Sequence, residues 1–291
     1  MTPVLARQIR IAVNTALDED LSRGDVTTSA LFPKPLRACG TIIAHQAITV
    51  AGIAVAKQTF QAVDASLKII RAVKDGATVQ RNRPVMVIEG DARSLLMAER
   101  VALNFLQRLS GIATLTARFC DAVRGHRVKI LDTRKTTPGL RTLEKWAVSL
   151  GGGHNHRHSL GDGVLIKDNH LELAGHDVAS ACRLARKRAP RGLKIEIEAK
   201  TLGEVRAVLD GKAAIILLDN MSLPAIRRAI RLIKHRAIVE VSGGVTLVNV
   251  RKIAAAGPDR ISVGALTHSA PAADLSMDIV PIRRHTGRKQ S

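Results

Sequence analysis

The chain has 291 residues, 46% hydrophobic and 24% charged, so it can bury a sizeable core in one large α/β domain or two ordinary ones. No apolar run approaches the roughly 20 residues of a membrane span, and the start Met1-Thr-Pro-Val-Leu-Ala-Arg7 lacks the apolar stretch of a signal peptide. The charge of +20, from 45 basic against 25 acidic residues, raises a nucleic-acid or anionic-surface partner, but aromatics for base stacking total only 2% and no nucleic-acid motif accompanies the charge.

In chain order, Val4–Leu17 predicts an amphipathic helix, and Asp18–Asp25 a turn-rich link. Gly40–Ala51, Leu67–Val73 and Val85–Glu89 alternate like antiparallel strands, punctuated by Asp75-Gly76 and Gly90-Asp91. A long helical stretch follows from Arg93 to about Val123, with an expected interruption near Gly111. From Asp132 the pattern changes. Val128–Asp132, Gly163–Lys167, Leu193–Glu198, Ala214–Asp219, Ile238–Ser242 and Arg260–Gly264 are almost continuously apolar, as strands covered on both faces are. Amphipathic segments Val178–Lys187, Leu202–Leu209, Leu223–Lys234 and Leu247–Ala255 fall between them. Such alternation predicts parallel strands with right-handed crossovers. The expected fold is α/β: a partial (β/α) barrel over 111–274, preceded by a smaller N-terminal α+β sandwich domain over 1–110 that the segment 275–291 joins. Basic residues cluster at Arg183, Arg186, Lys187 and Arg188, at Arg227, Arg228, Arg231, Lys234 and Arg236, and in the tail at Arg283, Arg284, Arg288 and Lys289. We expect solvated helix faces for the first two clusters and a frayed tail for the third. Cys39, Cys120 and Cys182 are scattered without metal-ligand spacing, which predicts buried thiols in a reduced, cytosolic protein.

The strand ends carry the functional signal. The first strand runs into Asp132, Thr133, Arg134 and Lys135; the second ends at Lys167, the third at Glu198 and the fourth at Asp219-Asn220. The fifth and sixth end at Ser242-Gly243-Gly244 and Gly264-Ala265. In a (β/α) barrel these ends converge on the face that holds the active site. His156 and Arg157 follow the glycine turn Gly151-Gly-Gly153 and add to the same cationic set. Guanidinium and ammonium groups gathered in this way suit a ligand with several anionic groups. Glycine-freed amides after the last strands suit a phosphate. Glu196 and Glu198 are two apart and share one strand face, so one is expected in the site and the other in the barrel interior. Asp219 and Glu198 could hold ribose hydroxyls or Mg²⁺. Metal binding at His156 lacks a ligand set at suitable sequence spacing. Lys167 leaves one mechanistic competitor open, a Schiff-base aldolase.

These motifs closely resemble the quinolinate phosphoribosyltransferase family, from about Ala16 to Ile279. The likeness rests on Leu17-Asp-Glu-Asp-Leu21, Gly24-Asp-Val-Thr-Thr28, Ala51-Gly52, Glu99-Arg-Val-Ala-Leu-Asn104, Leu109–Thr114, Asp132–Gly139, Gly151–Arg157, Ile166–His170, Leu218–Asn220, Ser242–Gly244 and Val263–His268. The resemblance implies transfer of the phosphoribosyl group of PRPP to quinolinate, giving nicotinate mononucleotide, CO₂ and diphosphate, with Mg²⁺. It implies that Arg100, Thr133, Arg134, Lys135, His156, Arg157 and Lys167 surround quinolinate and the diphosphate. Glu198 and Asp219 would face ribose and metal, and Ser242, Gly243, Gly244 and Gly264 the 5′-phosphate. Lys135, Lys167, Glu198 and Asp219 are the expected catalytic set. It also implies a homodimer in which Arg100 reaches the partner's barrel, with no membrane and no specific nucleic acid as partners. His158-Ser159, Ala199-Lys200 and the high charge depart from the family pattern. A molybdate-transport-associated paralogue shares Asp-Thr-Arg-Lys but is expected to lack Lys167-Asp-Asn-His170.

Overall fold

The computed structural model describes residues 2–282, so the basic residues Arg283, Arg284, Arg288 and Lys289 lie outside the described residues. The chain divides into two compact units. The first takes the described residues up to Thr114, Thr142–Gly151, and those from Ala270 onward; the second takes Leu115–Arg141 and Gly152–Ser269.

The chain opens with α1 (Pro3–Leu21), started by Pro3 at its first turn and by the Thr2 hydroxyl, which accepts the Leu5 N–H at 3.3 Å. Leu5, Ile9, Val13 and Leu17, four apart, form its buried stripe. α2 (Val26–Leu31) is capped by Asp25. β1 (Arg37–Ala44) alternates exposed and buried side chains, and β2 (Ile48–Thr49) is separate. The continuous strand expected over Gly40–Ala51 is therefore broken, at His45, whose N–H pairs with the Asp274 carbonyl. α3 (Ile53–Val63) is followed by β3 (Lys68–Ala72), β4 (Thr78–Val79) and β5 (Arg83–Asp91). The Asp75 carboxylate caps α3, accepting the N–H groups of Gly52, Ile53 and Ala54 at 2.7, 2.9 and 3.2 Å. This cap comes from more than 20 residues downstream, which is why periodicity alone did not announce the helix.

α4 (Ala92–Ala122) runs 31 residues without a break, correcting the interruption expected at Gly111. That glycine serves packing: a Cβ there would run into the carbonyl oxygen of Pro271. In the first unit, β12 (Leu275–Pro281) completes an antiparallel sheet of order β12-β1-β5-β3. Ile42, Phe60, Ile88, Leu95, Leu103 and Leu106 pack into its core.

The second unit holds β6 (Lys129–Leu131), β7 (Val164–Ile166), β8 (Ile195–Ala199), β9 (Ile215–Asp219), β10 (Ile238–Ser242) and β11 (Arg260–Ser262). They form one parallel sheet of order β6-β11-β10-β9-β8-β7. α5 (Arg141–Leu150) falls in the first unit apart from its first residue. The helices interleaved with the strands of the second unit are α6 (Asp168–Ala174), α7 (Val178–Arg188), α8 (Leu202–Asp210), α9 (Leu223–Ile233), α10 (Val250–Ala254) and α11 (Ala265–His268). This is the expected partial barrel, with five strands wound in sequence from β7 to β11 and β6, the sixth, placed beside the last. Its edge at β6 is lengthened by His154, which exchanges backbone hydrogen bonds with Ile130 and Asp132 at 2.8 and 3.1 Å. That pairing draws the segment ending in His156 and Arg157 along the strand that ends in the Arg134-Lys135 loop. The basic residues quoted on α7 and α9 are exposed, while Cys182 on α7 and Ile226, Ala229 and Ile233 on α9 are buried; Arg186, one turn after Cys182, donates to the Gly211 carbonyl at 2.5 Å.

Candidate active site

Parallel register sorts the inward side chains into layers. Glu196 pairs with Ile215 and Ile238 in the lowest layer; Glu198, Leu217, Glu240 and Arg260 form the middle one; Asp219 and Ser242 stand at the top. Above them opens a cavity of about 780 Å³. Thr133, Arg134, Lys135, His156, Arg157, Lys167, Glu198, Asp219, Ser242, Gly243, Gly244 and Gly264 all line it. Twelve residues from six strand ends and one glycine turn thus meet in one place. Of the residues that the family resemblance assigns to the ligands, Arg100 alone is not in this lining; it is exposed on α4 in the first unit.

Arg134 and Arg157 give the cavity its electrostatic character. Arg134 is half-buried, and its Nε is fully buried with no hydrogen-bond partner. Burial and the neighbouring Arg134 charge push Arg157 below the ordinary guanidinium range, which marks two like charges held close together. Arg157 Nη1 donates to the Gly163 carbonyl at 3.0 Å, leaving the fork otherwise directed by its strand-end surroundings. A buried donor with no partner from the protein, beside a second guanidinium, suits an anion.

The loop that carries Arg134 and Lys135 is built by local bonds. Lys135 N–H donates to Thr133 Oγ1 at 3.0 Å, and the Lys135 carbonyl accepts from Thr267 Oγ1 at 2.7 Å. Arg141 braces it from behind, donating to Thr136 Oγ1 at 3.0 Å, to the Arg134 carbonyl at 3.4 Å and to the His158 carbonyl at 3.1 Å. Arg141 escaped the sequence reading because two of its three bonds go to backbone carbonyls and no spacing rule marks it.

Lys167 Nζ lies 2.5 Å from Glu198 Oε1, with 45% of the lysine side chain exposed and 10% of the glutamate. Of the two glutamates on β8, Glu198 therefore faces the ligand cavity, and Glu196 sits a layer deeper, against His156. His156 Nε2 is 3.1 Å from Glu196 Oε2 and 3.3 Å from Glu240 Oε1, while its backbone N–H donates to buried Asp132 at 2.8 Å. Asp219 accepts from Asn220 Nδ2 at 2.9 Å. Asn220 adopts φ 52°, and Gly243 φ 91°; a Cβ at Gly243 would run into Asn220, so glycine there is a steric requirement. The Asn249 side chain accepts the Thr246 N–H at 2.8 Å and donates to the Gly244 carbonyl at 2.9 Å, closing the glycine turn. Gly264 packs against the Lys135 stem and His268.

The cavity also takes Asn220, which ends the fourth strand as expected, and Asp168, Glu240, Thr246 and His268, which the sequence reading did not place there. Glu240 had a legible signal, a carboxylate in mid-strand between Val239 and Val241. The departures from the family pattern fall at the rim. Asp162 accepts the N–H groups of His158 and Ser159 and the Ser159 hydroxyl, and Lys200 pairs with Asp168.

Fold and cavity together define an open (β/α) barrel with an anion-binding site at its strand ends, attached to an α+β unit. Residues 25–110 match the family model for the quinolinate phosphoribosyl transferase N-terminal domain, and residues 112–278 match that for the C-terminal domain. The chain belongs to the quinolinate phosphoribosyltransferase family. The carboxylating nicotinate-nucleotide pyrophosphorylase of Mycobacterium leprae is 41% identical over 276 residues, covering 93% of this chain and 96% of its own. The probable enzyme of that name from Bacillus subtilis is 38% identical over 273 residues, covering 94% and 93%. The solved nicotinate-nucleotide pyrophosphorylase of Francisella tularensis superposes with a TM-score of 0.91 at 34% identity, covering 96% of this chain and 98% of its own.

Proposed function

We propose that this protein transfers the phosphoribosyl group of PRPP to quinolinate and decarboxylates the product to nicotinate mononucleotide. The observation that carries this reading is the half-buried Arg134, with its orphaned Nε, beside Arg157 in a cavity that also holds two lysines and a Gly243-Gly244 turn. Quinolinate brings two adjacent carboxylates, and PRPP brings a phosphate and a diphosphate, so the ligands supply anions for Arg134, Lys135, Arg157 and Lys167. In this reading Arg134, Arg157, Lys135 and Lys167 hold quinolinate and the diphosphate, while Ser242, Gly243, Gly244 and Gly264 take the 5′-phosphate. The pyridine nitrogen attacks the ribose carbon, and the bond to diphosphate breaks with its electron pair leaving on oxygen. The pyridinium then holds the electron pair left when the adjacent carboxylate departs as CO₂, and a proton closes that carbon. Most of the protein's work is to orient two polyanions in register. Glu198 and Asp219 face the ribose, stabilising the positive charge that develops there.

Those two carboxylates also fit Mg²⁺, which takes hard oxygen donors and would neutralise charge on the diphosphate. The family resemblance supports a homodimer in which Arg100 enters the partner's cavity, and exposed Ile11, Val26, Leu31 and Leu36 on the first unit give apolar surface that such a partner would cover. A cytoplasmic setting agrees with three free cysteines and with the absence, among the described residues, of a helix long and apolar enough to cross a membrane. No observation favours the Schiff-base alternative: Lys167 is half-exposed and faces a carboxylate, not the desolvated or cation-flanked setting that activates an amine. Incubation with quinolinate, PRPP and Mg²⁺ should release CO₂ and nicotinate mononucleotide; no product under conditions where a known enzyme of the family turns over would reject the reading.

A further inference from the structure

His156 lines the ligand cavity, yet its ring nitrogens are both occupied by the protein. Nε2 faces Glu196 Oε2 at 3.1 Å and Glu240 Oε1 at 3.3 Å. Nδ1 accepts the N–H of Arg157, the next residue, at 2.8 Å. The hydrogen on Arg157 points at Nδ1, so that nitrogen offers a lone pair and the ring's proton sits on Nε2. Glu196 comes from β8 and Glu240 from β10, so the ring ties the 154–157 segment to two non-adjacent strands across the barrel interior.

The charges around the ring pull in opposite directions. Burial disfavours a charged His156, while hydrogen bonds to Glu196 and Glu240 outweigh it and would lift the ring to about 9. A second proton, however, must go on Nδ1, where it would meet the Arg157 N–H and break that bond. Other charged groups facing the cluster are Arg260, 3.8 Å from Glu240 Oε2, Arg157, whose charge interacts with Glu196, and Asp132, bonded to the His156 N–H. Arg260 supplies Glu240 with a cation, so His156 need not be one. A divalent cation held by the ring and the two glutamates would need the Nε2 lone pair. That in turn would put the proton on Nδ1, again displacing Arg157.

We propose that His156 is a positioning residue: Glu196 and Glu240 fix it as the neutral Nε2–H tautomer, and its Nδ1 anchors the Arg157 backbone so that the Arg157 guanidinium is aimed into the cavity. It is then neither a cationic ligand for the substrate nor a metal ligand. The functional consequence rests on the reading of Arg157 as a carboxylate ligand; the tautomer does not.

Two measurements separate these parts. In protein with ¹⁵N-labelled histidine, the His156 ring, assigned by its loss in His156→Gln, should show one protonated and one unprotonated nitrogen from pH 6 to 8, with the hydrogen on Nε2. A ring protonated on both nitrogens through that range, an Nδ1–H tautomer, or loss of the Nε2–H signal on adding Zn²⁺ would each overturn the proposal. This readout needs no turnover, so it stands even if quinolinate proves not to be the substrate. In steady-state kinetics, Glu196→Leu removes the acceptor of the Nε2 hydrogen and should raise the KM for quinolinate about tenfold with a smaller change in kcat, the size of one lost hydrogen bond to a charged group. Glu196→Gln keeps an acceptor without the charge and should recover most of that loss. Equal damage from both substitutions would mean that the carboxylate charge matters rather than the hydrogen bond, and the proposal would fall.

Discussion

Two lysines in the cavity are held in different ways, and the difference can be measured. Lys135 is exposed and bonds the protein through its backbone carbonyl, leaving its ammonium to the ligand. Lys167 is paired with Glu198 at the cavity wall. Because the exposed part of that pair is solvated, removing either ammonium should change folding stability by no more than about 1 kcal/mol. Catalysis should suffer far more. Lys135→Ala and Lys167→Ala are each expected to lower kcat/KM by about 10²–10³, the usual cost of one preorganised electrostatic contact. Urea unfolding alongside kinetics tests this: a stability loss of several kcal/mol with modest kinetic damage would make the lysines part of the scaffold. At this scale the sequence was legible wherever a charged residue ended an apolar strand, as at Lys167 and Asp219. It was silent where a side chain acts mainly on backbone, as Arg141 does, because such contacts leave no pattern of residue types.

At the scale of elements, glycine decides between similar-looking positions. Gly111 lies inside the unbroken helix α4 and Gly203 in the first turn of α8, so sequence alone treats both as helix weaknesses. Space separates them. A methyl at Gly111 meets the Pro271 carbonyl, a rigid backbone atom, whereas at Gly203 only the Thr201 hydroxyl lies within reach, at 3.8 Å. Gly111→Ala should therefore destabilise by about 1–3 kcal/mol through overpacking. Gly203→Ala should stabilise by about 0.5 kcal/mol through helix propensity. Equal shifts in the urea midpoint would show that propensity, not packing, governs position 111. The parallel strands were readable because burial on both faces leaves a run of Ile, Val and Leu. The helix α3 and the broken β1–β2 edge were not readable, since distant Asp75 and Asp274 complete them.

The whole molecule poses two questions that single residues cannot answer. If Arg100 serves the neighbouring subunit, neither Arg100→Ala nor Lys135→Ala homodimers should turn over well, yet mixing them should restore activity. Half the mixed dimers' cavities would be intact, so recovery of roughly a quarter of wild-type rate is expected from random pairing of equal amounts. No recovery after confirmed subunit exchange would place Arg100 in its own subunit's site or outside any site.

The second question is the charge of +20. Two of its clusters lie exposed on and just beyond α7 and α9. The anion-binding cavity is built from a different set, the strand-end residues Arg134, Lys135, Arg157 and Lys167. A surface of this kind attracts any polyanion through counterion release, without reading its sequence. Binding to a mixed-sequence duplex should therefore be indifferent to sequence. It should fall linearly in log affinity with log salt, and be negligible near physiological ionic strength. Affinity tighter than about 10⁻⁸ M at that salt, with preference for one sequence, is the mark of a specific binder and would overturn the reading of these faces as solvated. Catalysis should be unaffected by added duplex at physiological salt, since the polynucleotide and PRPP compete only if the basic faces and the cavity act as one site. Inhibition that tracks duplex concentration there would show that they do.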